Sequence, residues 1–138
     1  MNESSIILYQ SEDGITKIET RLYDETVWLT QMQIAELFQK GRSTITEHLK
    51  NIFASAELVE DSVIRKIRIT ASDGKTYLTN HYNLDAIISV GYRVNSVQAT
   101  QFRIWATRIL KDYLVKGFAL NRSEEHTSEL QSPDLNSY

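Results

Sequence analysis

The chain has 138 residues, of which 41% are hydrophobic and 24% charged, a composition typical of one soluble globular domain. It contains no cysteine, which excludes a disulfide framework and a thiolate metal site. No apolar run reaches the length of a membrane span and no leader-like segment follows Met1, so we expect a cytoplasmic protein. The net charge is −3, but residues 122–138 hold four of the 18 acidic and one of the 15 basic residues, and the remainder is neutral. Overall charge therefore does not favour a nucleic-acid binder, which would need clustered bases.

Two β-branched and aromatic runs, residues 5–10 and 17–23, flank a turn that contains an Asp-Gly pair. They predict an N-terminal β-hairpin. In the second run apolar side chains and a threonine alternate with charged ones, as a half-buried strand requires. Residues 27–29 are interpreted as the entry to the following helices, with Trp28 as a core anchor.

Residues 29–53 predict two short helices joined by a tight turn. Thr30 is a favourable N-cap, and apolar residues recur after it at helical spacing. We expect Gly41 to break the first helix by taking a positive φ, and Ser43 or Thr44 to cap the second.

The second of these helices combines an inward apolar stripe with an outward polar face. A helix-turn-helix has this organisation, because one helix braces the other in the DNA major groove. An ordinary helical hairpin in a small core would produce the same pattern and remains an alternative. The polar face consists of Arg42, Ser43, Thr44, Thr46, Glu47, His48 and Lys50.

A second hairpin is predicted over residues 63–79, where two alternating runs flank another Asp-Gly turn. In winged relatives of the helix-turn-helix, such a hairpin follows the recognition helix and its bases meet phosphates. A solvated sheet face with a basic edge is the alternative. The hairpin carries four bases, Arg65, Lys66, Arg68 and Lys75.

Two helices are predicted to complete the core. Asn83 caps the first, in which Gly91 permits close packing and Tyr92 is expected to point inward. Ser96 starts the second and longest helix, and Gly117 is its expected stop. If its apolar stripe is too wide for one core, it could serve a dimer or a further domain. The stripe comprises Phe102, Trp105, Ala106, Ile109, Leu110, Tyr113 and Leu114.

Residues 122–132 read RSEEHTSELQS, which is the in-frame translation of a common short-read library adapter. We therefore expect the natural sequence to be readable only to about Asn121 and the natural protein to continue beyond it. Residues 122–138 are interpreted as a non-native, disordered tail.

No catalytic or cofactor motif is present in the sequence. His48, His81 and His126 are far apart and lack the spacing of a metal site. Phosphate-binding glycine loops, dinucleotide fingerprints and serine elbows are also missing. We therefore predict no enzyme activity, no cofactor, no metal and no small-molecule substrate.

The sequence resembles the RhuM virulence-associated family over residues 6–121, and more loosely the Bro-N and KilA-N type phage DNA-binding domains. The resemblance implies a protein of bacterial genomes and mobile elements, longer than this chain, and transfers no catalytic residues. One departure lies in the turn, where many helix-turn-helix proteins have glycine and an apolar residue in place of Gln39 and Lys40. The blocks that carry the resemblance are VWLTQMQIAELF (27–38), RSTITEHLKNIF (42–53), TASDGKTY (70–77) and HYNLDAIISVGYRVNSVQATQFRIWATRILKDYLVKGFALN (81–121).

Taken together, the sequence predicts an α+β, winged-helix-like domain over residues 1–121 that binds double-stranded DNA as a sequence-specific regulator. A second copy of the chain is a candidate partner, and no membrane is expected. The alternative function is a protein-interaction module that targets a missing C-terminal effector region. The predicted base-reading residues are Arg42, Ser43, Thr44, Thr46, His48 and Lys50, and the predicted phosphate contacts are Lys40, Arg65, Lys66, Arg68 and Lys75.

Overall fold

The computed structural model describes residues 5–121, and the side chains of residues 5–115. This part of the chain is an α+β fold with five strands and five helices, and the predicted adapter-like tail lies outside it. None of the described helices combines the length and the apolarity that crossing a membrane requires. The elements are β1 (Ser5–Gln10), β2 (Lys17–Tyr23), β3 (Thr26–Thr30), α1 (Gln31–Phe38), α2 (Arg42–Ala54), α3 (Glu60–Val63), β4 (Ile64–Thr70), β5 (Thr76–Asn83), α4 (Leu84–Arg93) and α5 (Val97–Asn121).

The strands form a single antiparallel sheet in the order β1-β2-β3-β5-β4. Both predicted hairpins, β1–β2 and β4–β5, are confirmed. The third strand was not predicted, and it joins the hairpins by pairing with β2 on one side and β5 on the other. A two-residue turn at Asp24 and Glu25 makes the pairing of β3 with β2 possible. Both residues take positive φ values, 54° and 64°, and a turn of this kind matches the twist of the strands.

The core lies on the face of the sheet that the helices cover. Register places inward-facing residues of neighbouring strands opposite one another, as in the pairs Leu22–Val27 and Leu29–Tyr82. Trp28 points to the other face, yet it is buried, and its indole N–H donates to the Tyr23 carbonyl at 2.7 Å. Its predicted anchoring role is confirmed, although it anchors the opposite face of the sheet. The helices contribute Ile34, Leu37, Ile45, Ile52, Ile87, Val90, Phe102 and Ala106 to the core.

The turn between α1 and α2 differs from the prediction. Gln39, and not Gly41, takes the left-handed conformation, with φ of 55° against −68° for the glycine. The N–H of Lys40 donates to the Ala35 carbonyl at 3.0 Å, which closes the end of the helix in a Schellman pattern. Gln39 thus occupies the position that many helix-turn-helix proteins give to glycine.

The helix starts are partly as predicted. Thr30 caps α1, and its hydroxyl accepts the Gln33 N–H at 3.1 Å while the Gln33 side chain accepts the Thr30 N–H at 2.9 Å. The N-cap of α2 is Gly41, and no side chain caps this helix. The expectation that Ser43 or Thr44 caps it is wrong, because the helix starts earlier and both residues lie within its first turn.

The start and the packing of α4 follow the sequence closely. The Asn83 side chain accepts the Ala86 N–H at 3.1 Å and caps the helix as predicted. A Cβ atom on Gly91 would lie 2.3 Å from the Cβ of Ala99, so only glycine allows α4 and α5 to approach this closely. The inward position expected for Tyr92 is wrong, because Gly91 occupies the contact with α5 and the tyrosine is 81% exposed.

Helix α5 begins as predicted and ends later. The Ser96 hydroxyl accepts the Gln98 N–H at 3.0 Å, and the helix then continues through Gly117 to Asn121. The predicted stop at Gly117 is therefore wrong. A glycine inside a helix costs only about 1 kcal/mol relative to alanine, which is not enough to end a long helix by itself.

The apolar stripe on α5 packs against the core from Phe102 to Leu110 and not beyond. Phe102 and Ala106 are completely buried, whereas Tyr113 and Leu114 are about half exposed, at 46% and 50%. The helix therefore extends beyond the core that its first turns complete, and the predicted stripe is wider than one core uses.

Candidate nucleic-acid interface

Helix α2 keeps Ile45, Leu49 and Ile52 inward and leaves a polar surface outward. Three of the six predicted base-reading side chains are exposed on it, namely Arg42, Ser43 and Lys50. Thr44, Thr46 and His48 are partly buried at its flanks, and Glu47 is exposed among the bases.

Thr46 takes part in the contact between the two helices. Its hydroxyl donates to the Arg42 carbonyl at 3.0 Å and also meets the amide nitrogen of Gln31 at the start of α1. The same amide donates to the Arg42 carbonyl at 3.4 Å. These bonds join the first turns of α1 and α2, so the Thr46 hydroxyl is already used inside the protein. Gln31 was missed in the sequence because no local pattern predicts a bond between residues 15 positions apart.

His48 also differs from a free groove-facing side chain. Its Nδ1 atom is buried and has no hydrogen-bond partner within the described residues. The ring is only partly accessible on the flank of α2. The exposed side chains of this helix instead include Ser43, Glu47 and Lys50.

The hairpin bases divide between the two faces of the sheet. Successive side chains of a strand point to opposite faces of the sheet. Lys66 and Arg68 therefore lie on the same face as Ile64, which packs against the core. Arg65 lies on the other face. Lys66 and Arg42 line a common cleft of about 550 Å³ between the start of α2 and the hairpin. We call this space the Arg42–Lys66 cleft; Gln31, Asn80 and Thr79 also line it.

Arg65 lies among partners on the opposite face. Its guanidinium pairs with the Asp24 carboxylate at 3.0 Å and stands over the Trp28 ring, 5.5 Å from the ring centroid. Both contacts fix the side chain to the β2–β3 turn and to the buried indole. Arg65 is thus separated from the Arg42–Lys66 cleft, which strand alternation could have indicated from the sequence.

The other predicted phosphate contacts do not line this cleft. Arg68 lines a neighbouring cavity of about 600 Å³ that contains Arg21 but also Glu19 and Glu36, so its charge environment is mixed. Lys75 is exposed beside the hairpin turn and Lys40 is exposed between α1 and α2. The structure therefore brings together one base from α2 and one from the hairpin.

His81 is a buried polar residue of the sheet. It lies on β5 opposite Arg65 and Thr30, and its Nδ1–H donates to the Thr79 carbonyl at 2.8 Å. Burial lowers the pKa of the imidazole; the bond to Thr79 acts in the opposite direction, and the Arg21 charge lowers it further. The ring is therefore a neutral structural element of the sheet near neutral pH. Within residues 5–121 no cluster of three or more His, Asp or Glu side chains could hold a metal ion.

A family model for the Virulence protein RhuM family matches residues 62–135, more than half of the chain. The chain belongs to this family. The resemblance to the RhuM family found in the sequence is thereby confirmed. No curated protein and no solved structure matches the chain. In this RhuM-family fold the matched region starts near the basic hairpin, so it includes Lys66, whereas Arg42 and the α1–α2 pair precede it.

Proposed function

We propose that this RhuM-family domain binds double-stranded DNA, with α2 in the major groove and the Lys66 side of the β4–β5 hairpin against the phosphate backbone. The convergence of Arg42 and Lys66 on one cleft is the observation that carries this function. Two cations on separate elements that face the same space suit a polyanion, whose phosphates lie along a continuous backbone.

The start of α2 also suits base reading. Recognition helices contact base edges mainly with their N-terminal residues, and Arg42 and Ser43 are exposed in the first turn of α2. The fork of Arg42 can bind guanine or a phosphate in a bidentate manner. One turn further on, the exposed Glu47 can accept a hydrogen bond from cytosine. The domain would act as a sequence-specific regulator.

The test is selection of duplexes from a randomised DNA pool by the full chain, followed by affinity measurements at two salt concentrations. We expect an enriched motif and an affinity that falls steeply as salt rises, because each neutralised phosphate releases counterions. Absence of both enrichment and salt-dependent binding would rule out this function.

Replacing Arg42 tells the two modes of contact apart. If Arg42 reads a base, Arg42→Ala costs about 1–3 kcal/mol and relaxes the motif at one position. A uniform loss over all sequences would make it a phosphate contact. Arg108→Ala on the exposed surface of α5 is the matched control and should change neither affinity nor motif.

The second candidate function is a module that binds another protein. The half-exposed Tyr113 and Leu114 on α5 favour it, because clustered apolar side chains outside a core suit a protein partner. Binding to a protein partner that Leu114→Lys abolishes, together with a negative DNA selection, would establish this alternative.

A further inference from the structure

The two edges of the sheet differ in their chemistry. β1 forms one edge and β4 the other. β4 carries three bases, Arg65, Lys66 and Arg68, and charged side chains are a common protection of sheet edges against pairing. β1 reads SIILYQ, with no charge and no proline, and is paired with β2 over all six residues. Within the described residues nothing pairs with its outer side, so β1 presents an unprotected edge.

The side chains of β1 continue this apolar surface. Ile7 packs against the core and Tyr9 is buried, with its ring in edge contact with Phe102 at 5.1 Å. Ile6 and Leu8 point to the opposite face and are 54% and 53% exposed. The edge is thus held rigidly by its inward side chains and remains apolar on its outward side.

We propose that β1 pairs antiparallel with β1 of a second copy of this chain, around a two-fold axis at Ile7. The two five-stranded sheets then form one continuous sheet with the helices of both copies on the same face. Residues that pair across such an axis must point to the same face, which places Ile6 opposite Leu8 of the second copy. Two such pairs bury the four half-exposed side chains together and satisfy the free backbone groups of both edges.

A second copy fits this edge better than other occupants. Uncharged β1 faces an identical uncharged strand, whereas pairing β1 with β4 would place its three bases against a strand without acidic residues. The two-fold arrangement also closes, because the only edges it leaves among the described strands are the two basic β4 strands. The pairing does not depend on DNA binding by the domain.

The first measurement is sedimentation equilibrium of the full chain, together with hydrogen exchange of the β1 amides over the same concentration range. We expect a species of twice the 15.9 kDa chain mass and outward β1 amides that become protected as it forms. A monomer at all concentrations overturns the proposal. If the outward β1 amides of that monomer are already protected, another segment of the same chain covers the edge.

The variants Leu8→Lys and Leu114→Lys separate this edge from α5, since each places a charge at a half-exposed leucine. Leu8→Lys should raise the dimer dissociation constant on the order of tenfold or more. The reason is that both copies lose a buried leucine and gain a charge at the interface. Leu114→Lys should leave the dissociation constant unchanged. The opposite result would assign the dimer to α5. Circular dichroism shows whether Leu8→Lys folds, and Ile6→Lys at the paired position replaces it if it does not.

Discussion

Arg65 and Lys66 are consecutive cations that leave opposite faces of β4, so they form a matched pair for testing the interface. We expect Lys66→Ala to weaken DNA binding and to reduce the slope of log affinity against log salt by about 1, because one phosphate contact is lost. Arg65→Ala also removes one positive charge, but the contacts it breaks are those to Asp24 and Trp28 within the protein. It should therefore leave the salt slope unchanged. Titrations of one duplex at several salt concentrations measure both slopes.

The stability of Arg65→Ala gives an independent check. Because the Arg65 side chain is 42% exposed, its ion pair is screened, and its loss should cost no more than about 1 kcal/mol. Equal slope changes in the two variants would mean that Arg65 also reaches the DNA and that the division of the hairpin by strand alternation does not apply to the complex.

His81 predicts a specific dependence of stability on pH. Its pKa is lowered in the folded state, mainly by burial, whereas in the unfolded chain it titrates near 6.5. The unfolded state therefore binds a proton first, so the free energy of unfolding should be highest above about pH 6.5 and decrease as the pH falls toward the folded-state pKa. Urea titrations between pH 7.5 and 5.5 measure this decrease.

His81→Gln removes the titrating ring and should flatten the stability profile over this pH range relative to the wild type. The carboxyl groups of Asp13 and Glu57 have lowered pKa values because of hydrogen bonds from Ser11 and from Arg93 and Ser89, so they act only at lower pH. An unchanged profile in His81→Gln would show that another group causes the effect.

At the scale of the elements, the residue that follows the C-cap of α2 is left-handed and is not glycine. Ala56 has a φ of 62°, and its N–H donates to the Phe53 carbonyl at 3.1 Å. Left-handed backbone costs an L-residue about 1–2 kcal/mol, and glycine avoids this cost but loses more entropy on folding. We therefore expect Ala56→Gly to stabilise the protein by about 0.5–1 kcal/mol, as measured by urea denaturation.

Ala54, two residues earlier, is an exposed alanine at the last helical position of α2 and serves as the control. Ala54→Gly should destabilise by at most about 0.5–1 kcal/mol, because Ala54 has a helical backbone, in which glycine is unfavourable. The two identical substitutions should thus have opposite signs. If both destabilise, the end of α2 is not held in the left-handed conformation in solution.

The elements that could be predicted are those with local chemical signals. Alternating runs around Asp-Gly turns gave both hairpins, and the caps Thr30 and Asn83 lie where their side chains can accept a backbone N–H. Three helices end at the left-handed residues Gln39, Ala56 and Asn95, and the usual glycine signal was missing at each. The third strand was missed for a related reason. Asp24 and Glu25 form a turn with two positive φ values, but the pair lacks the glycine that usually indicates such a turn.

The candidate site could be predicted only as a set of residues and not as an arrangement. Arg42 and Lys66 were both chosen from the sequence, but their convergence depends on β5 pairing with β3, which joins two distant segments. Arg65 lies apart from them because successive residues of a strand point to opposite faces. Its guanidinium also pairs with Asp24, 41 residues away in sequence. Long-range contacts of this kind leave no local pattern in a single sequence.

For the whole molecule, the first and last described elements share one core, and Phe102 joins them. Its ring is completely buried on α5, in edge contact with Tyr9 on β1 and 5.5 Å from the ring centre of Trp105. Replacing a buried phenylalanine by alanine costs about 3–5 kcal/mol, which is a large part of the stability of a small domain. We expect Phe102→Ala to lower the free energy of unfolding by this amount, in urea titrations followed by tryptophan fluorescence and circular dichroism.

Because the core is continuous from β1 to α5, the loss should affect the sheet and the helices in one transition. Fluorescence reports mainly on Trp28 and Trp105, at the sheet and at α5, whereas circular dichroism averages over all elements. Coincident midpoints in the wild-type chain and in Phe102→Ala would show a single cooperative unit. Ile104 lies on the same helix and is 52% exposed. Ile104→Ala should therefore change the free energy of unfolding by no more than about 0.5 kcal/mol. Separate midpoints for the two probes would instead mean that α5 unfolds independently of the sheet, and that the contact of Phe102 with Tyr9 does not couple the two ends of the described chain.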